Sequence, residues 1–129
     1  MRKALVVIGG VLNSLFALFH VFLSWQIHQL TGVQPGVKAL LEMFGLGGML
    51  MIFFFAFASL LAPTDMLTTR LGRMVITLIA VVYLVRAAEE ILIAVRFSPL
   101  IFGSCLLVGI IYTLALFPGT AERLQPTGH

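Results

Sequence analysis

The chain has 129 residues, 60% of them hydrophobic and only 10% charged, and its mean hydropathy is +1.11. Soluble domains are about 45–50% apolar and about 25% charged, so the sequence reads as a polytopic membrane protein. The net charge of +3 comes from basic residues scattered near helix ends, which argues against a nucleic-acid partner, and a single cysteine, Cys105, excludes an intramolecular disulfide, a CxxC redox site and a zinc finger.

Arg2 and Lys3 precede an apolar run that continues from Ala4 to about Trp25. It is longer than the 7–15 residues or so of a signal-peptide core and has no small-x-small cleavage site after it, so it is expected to remain as a first helix over 4–26. Thr31-Gly32 and Pro35-Gly36 mark a loop, and a second helix is expected over 39–61, ending at Pro63. Thr64 or Asp65 is a candidate cap for a short turn that leads through Arg70 and Arg73 into a third helix over 71–95. Ser98 suits an N-cap and Pro99 the first helical position, which starts a fourth helix over 99–117. Pro118-Gly119 ends it, and 118–129 is a polar tail.

The expected fold is an all-α integral membrane protein of one domain, an antiparallel four-transmembrane-helix bundle. Arg2, Lys3, Arg70, Arg73 and Arg123 fall on one side of such a bundle, with Lys38 and Arg96 on the other. The positive-inside rule then puts both termini in the cytoplasm, with a bacterial inner membrane as the expected location.

Within that frame Arg86, Glu89 and Glu90 lie inside the third span. A charge at bilayer depth costs several kcal/mol (roughly 2.5–3.5) and marks a functional site by default. Depth along each helix places these groups, His20 and Glu42 at the midplane or in the outer half, although they come from three helices. Helical periodicity puts Gly9, Asn13, His20 and Ser24 on one stripe of the first helix, and Tyr83, Arg86 and Glu90 on one face of the third. Glu42, Gly45 and Met49 form a stripe on the second helix, where Gly47 and Gly48 are expected to allow close backbone approach. The candidate site is therefore a buried cluster of His20, Glu42, Arg86, Glu89, Glu90, Ser24, Asn13 and Tyr83.

Several chemistries stay open at these residues. Arg86 and Glu90 have the spacing of an intrahelical ion pair, which leaves Glu89 as surplus charge. His20 reads as a core histidine, as an acid/base or metal ligand with Glu89 and Glu90, or as a haem ligand. Bis-histidine haem would require a second buried histidine from a facing helix or a second copy of the chain. No cofactor is specified.

In size and helix count the chain resembles small multidrug transporters, dual-topology fluoride channels and bacterial DoxX-like proteins. The multidrug transporters carry a functional glutamate in their first helix, where this chain has His20 and no acid. The resemblance transfers no residue roles.

The leading expectation is a membrane protein that binds a small amphiphile, a quinone-like molecule or a cation in this cluster. The alternatives are an accessory or assembly subunit, partnered by other membrane proteins or by copies of itself; a lipid-directed acid/base enzyme; and a coupled transporter. The bilayer is the partner common to all four.

Overall fold

A computed structural model describes residues 1–117, so the polar tail expected over 118–129 lies outside the described residues. The described chain is all-helical, with four long helices and one short one: α1 (Arg2–His28), α2 (Pro35–Leu61), α3 (Pro63–Thr68), α4 (Arg70–Leu92) and α5 (Pro99–Leu116). Three of them, α1, α2 and α5, are long and apolar enough to cross a membrane. The fourth long helix, α4, carries Arg86, Glu89 and Glu90.

The helix boundaries follow local chemistry. Proline presets φ for a first helical turn and has no N–H to leave unsatisfied there. Pro35 accordingly opens α2, Pro63 opens α3 and Pro99 opens α5. This starts α2 four residues before the expected 39. Gly32 takes the α1–α2 turn at φ 80°, in the left-handed region. The Thr69 hydroxyl accepts the Gly72 N–H at 2.9 Å and caps α4. Neither Thr64 nor Asp65 caps α3, whose N-cap is Ala62. Ser98 caps α5, accepting from the Ile101 N–H at 3.5 Å. Helix α4 stops at Leu92, short of the expected Val95, because the chain must turn before Ser98.

The principal packing runs α2 against α1, α1 against α5 and α5 against α4, with α3 wedged beneath α4, α1 and α2. Gly72 makes the last contact possible: a Cβ there would collide with the Met66 backbone. The core contains Val6, Phe55, Ile76, Ile79 and Tyr112, each almost inaccessible. Outward faces remain apolar, as with Phe44, Phe54, Phe57, Leu15 and Val81. Gly47 and Gly48 play no part in close approach, since a Cβ on either would meet nothing within 4 Å. Gly10, against Ser59 and Leu60 of α2, and Gly109, against Leu84 of α4, hold those contacts instead.

Candidate functional site

Asn13 of α1 is fully buried. Its Nδ2 donates to the Gly9 carbonyl at 3.0 Å and to the Tyr112 hydroxyl at 2.8 Å. Its Oδ1 accepts from the Tyr83 hydroxyl at 2.5 Å. Because the Gly9 carbonyl only accepts and Tyr83 donates, the amide orientation is determined by its partners. Tyr112, having accepted from Asn13, also shares a hydrogen bond with Ser59 Oγ, 2.6 Å away, in which either hydroxyl can donate. One side chain from each long helix thus enters a closed network: Asn13 of α1, Ser59 of α2, Tyr83 of α4 and Tyr112 of α5. Gly9 lets the Tyr112 ring lie against the α1 backbone, where a Cβ would sit 2.6 Å from ring carbons. No buried side-chain nitrogen or oxygen among the described residues lacks a partner. This network ties the helices together.

Glu90 belongs to a second group. It is only 4% exposed, with Oε2 3.2 Å from Arg86 Nη1 and Oε1 accepting the Ser98 N–H at 2.9 Å. The carboxylate therefore clamps the α4–α5 connection. Glu89, whose side chain is 46% exposed, approaches the same guanidinium at 3.9 Å. Two carboxylates share one arginine. With both Glu90 oxygens engaged in this way, an acid/base pair with His20 has no direct contact behind it.

Glu42 joins neither group. Its Oε1 lies 3.1 Å from His28 Nδ1 on the exposed α1–α2 turn, where Lys38 Nζ also donates to the His28 carbonyl at 2.6 Å. Ser24 packs between α1 and α2, its Oγ at 3.6 Å from where a Cβ on Gly45 would be.

His20 stands apart, at a cavity of about 380 Å³ enclosed by all four long helices. Phe16, Phe19, His20 and Leu23 line it from α1, Gly48, Met51 and Ile52 from α2, Val82, Tyr83 and Arg86 from α4, and Ile101 and Cys105 from α5. His20 Nδ1 lies 2.9 Å from the Phe16 carbonyl oxygen. A carbonyl only accepts, so Nδ1 carries a proton, and in that tautomer Nε2 is an acceptor. No side chain or backbone group among the described residues pairs with Nε2. The Tyr83 hydroxyl is committed to Asn13, so Tyr83 offers the cavity its ring, which meets Phe16 at a centroid distance of 5.4 Å.

The eight residues expected in one cluster thus occupy four places. Asn13 and Tyr83 enter the network; His20, Arg86 and the Tyr83 ring meet at the cavity; Arg86, Glu89 and Glu90 form the clamp; Glu42 and Ser24 lie on the α1–α2 hairpin. Among the described residues no three of His, Cys, Asp and Glu come together to hold a metal ion, so His20, Glu89 and Glu90 do not form the donor set considered from sequence. Ser59 and Tyr112 carry no expectation in the sequence, and Ser98, expected as the α5 cap, also gives its N–H to Glu90. The signal available for Tyr112 is a phenol in a mostly apolar helix, since buried tyrosine hydroxyls usually have a partner. No family of known proteins, no curated protein and no solved structure matches the chain.

Proposed function

We propose that this chain is an integral membrane protein, an antiparallel four-transmembrane-helix bundle of a bacterial inner membrane with both termini cytoplasmic, that holds one quinone-like amphiphile between its helices. The observation that carries this reading is the His20 imidazole, its Nε2 unpartnered, at a cavity otherwise walled by apolar side chains and Arg86. A few polar groups in an apolar cavity of about 300–1,000 Å³ are the usual form of a small-molecule site. The polar wall favours a neutral head group over a cation. Arg86 would donate to a carbonyl oxygen and His20 Nε2 would accept from a hydroxyl, whereas Arg86 would repel a positive charge. Glu89 and Glu90, which would attract one, do not line the cavity. No redox step is assigned to the chain's own residues; their role is to bind and orient.

A second reading, an accessory subunit of a membrane complex, draws on Glu89. This half-exposed carboxylate shares Arg86, its one cation among the described residues, with Glu90, and a basic group on a partner helix would balance it.

Native mass spectrometry of protein extracted gently from its own membranes separates the two. A stoichiometric small mass present in wild type, absent from His20→Ala and replaceable by a decyl-tailed benzoquinone supports the cavity reading. A bare chain that arrives with other polypeptides, and does not take up the quinone, overturns it in favour of the subunit.

A further inference from the structure

A second concave surface lies at the opposite end of α4 from His20 and shares no residue with that cavity. It is a groove of about 970 Å³ between the first half of α4 and the end of α5, with Thr68 of α3 at its rim. Arg70 and Arg73 stand there three residues apart, hence on neighbouring positions of one helix face. Neither guanidinium has a hydrogen-bond or ion-pair partner among the described residues, and Asp65, the nearest acid in sequence, pairs with neither. Two unpaired like charges at this spacing repel, and an anion between them relieves the repulsion. The Thr68 and Thr77 hydroxyls donate to the Thr64 and Arg73 carbonyls, so anion recognition falls to the arginines.

Apolar side chains continue the groove along the helices, with Met74 62% and Leu78 50% exposed and Leu116 opposite them. We infer that this groove binds one anionic phospholipid, its phosphate between Arg70 and Arg73 and an acyl chain along Met74, Leu78 and Leu116. A water-soluble anion would use the arginines and leave the apolar wall empty. A zwitterionic lipid brings its own cation, which opposes the arginine pair. Basic recesses between membrane helices on the cytoplasmic side are suited to anionic headgroups. The inference rests on the membrane reading above and is independent of what occupies the His20 cavity.

The test uses the full chain in mild detergent, offered dioleoylphosphatidylglycerol and dioleoylphosphatidylcholine at equal mole fraction, with retained lipid read by native mass spectrometry. One phosphatidylglycerol is expected to be retained with a preference of about 25-fold, at about fivefold per arginine. Replacing both arginines (R70Q with R73Q) should bring the preference close to unity. Leu78→Trp, which narrows the groove and keeps its charge, should also weaken retention. The pair Lys3→Gln with Arg96→Gln removes the same charge elsewhere and should leave retention unchanged; unaltered helical circular dichroism shows that each variant is folded. Equal retention of the two lipids overturns the inference, as does equal loss in the control pair. Phosphatidylglycerol binding that emerges only after residues 118–129 are removed also overturns it, making that segment the occupant. Failure of the chain to float with vesicles would instead defeat the membrane reading, so the two failures are distinguishable.

Discussion

Tyr112 and Asn13, 99 residues apart in the chain, meet through a 2.8 Å hydrogen bond at the centre of the packed helices. The bond matters because apolar helices in lipid gain little by hiding from it. Close packing and interhelical hydrogen bonds must hold them together. Here a single asparagine engages two tyrosines from two other helices, and the second tyrosine passes the connection to Ser59.

Removing one member should therefore affect the others. Interhelical hydrogen bonds in membrane proteins average about 0.6 kcal/mol and reach about 1.7 kcal/mol. Tyr83→Phe loses one such bond and should lower stability by that amount. Asn13→Ala loses both tyrosine contacts and should cost more. A double-mutant cycle of Asn13→Ala with Tyr112→Phe, followed by thermal unfolding in mild detergent, should be non-additive by about 0.6–1.7 kcal/mol. Strict additivity would show that the two side chains do not interact.

Gly9→Ala and Gly47→Ala should have opposite effects. The first places a methyl group 2.6 Å from the Tyr112 ring, and overpacking of this kind costs about 1–3 kcal/mol. The second meets nothing within 4 Å and replaces a poor helix former, for a gain of up to about 1 kcal/mol. Melting temperatures moving in the same direction would contradict the packing of Tyr112 on α1.

Glu89 and Glu90 are neighbours in sequence with different surroundings. Glu90→Gln keeps an acceptor for the part-buried Ser98 N–H, while Glu90→Ala removes a hydrogen bond to a charged group, at a cost of about 1.5–3 kcal/mol. Hydrogen exchange at Ser98 should accelerate in Glu90→Ala and change much less in Glu90→Gln. Glu89→Ala, at a half-exposed pair, should cost about 1 kcal/mol or less. Similar exchange in all three variants would remove the clamp assigned to Glu90.

Glu42 should prove separable from the cavity. Its contact with His28 is exposed, so Glu42→Gln is expected to cost about 1 kcal/mol or less, and the pair should weaken in high salt. Occupancy of the cavity by the quinone probe should survive Glu42→Gln and be lost in His20→Ala. Loss in both would rejoin Glu42 to the site.

The legibility of the site varied with the kind of signal. Asn13 and His20 stood out because a polar residue in a long apolar run is visible at once. Their fates nevertheless diverged: the asparagine is saturated by tyrosines, while the histidine keeps one nitrogen unpartnered. Helix depth and periodicity put Glu42 in the cluster. Its place near the start of α2, within reach of His28 and Lys38, gave it a partner on the turn instead. Tyr112 and Ser59 formed no polar stripe on their helices, so periodicity passed over them.

The sequence by itself determined the apolar helices and the N-terminal cap of α5. Hydropathy sums over neighbouring residues, and Pro99 and Ser98 act on their own backbone, so both are local properties. Only the tertiary structure decided which polar groups meet. That choice depends on how the helices rotate and cross, and it is governed by contacts such as Gly9 with Tyr112 and Gly109 with Leu84, whose partners are remote in the chain. Periodicity can place a residue on a face, but only helix packing determines what that face opposes.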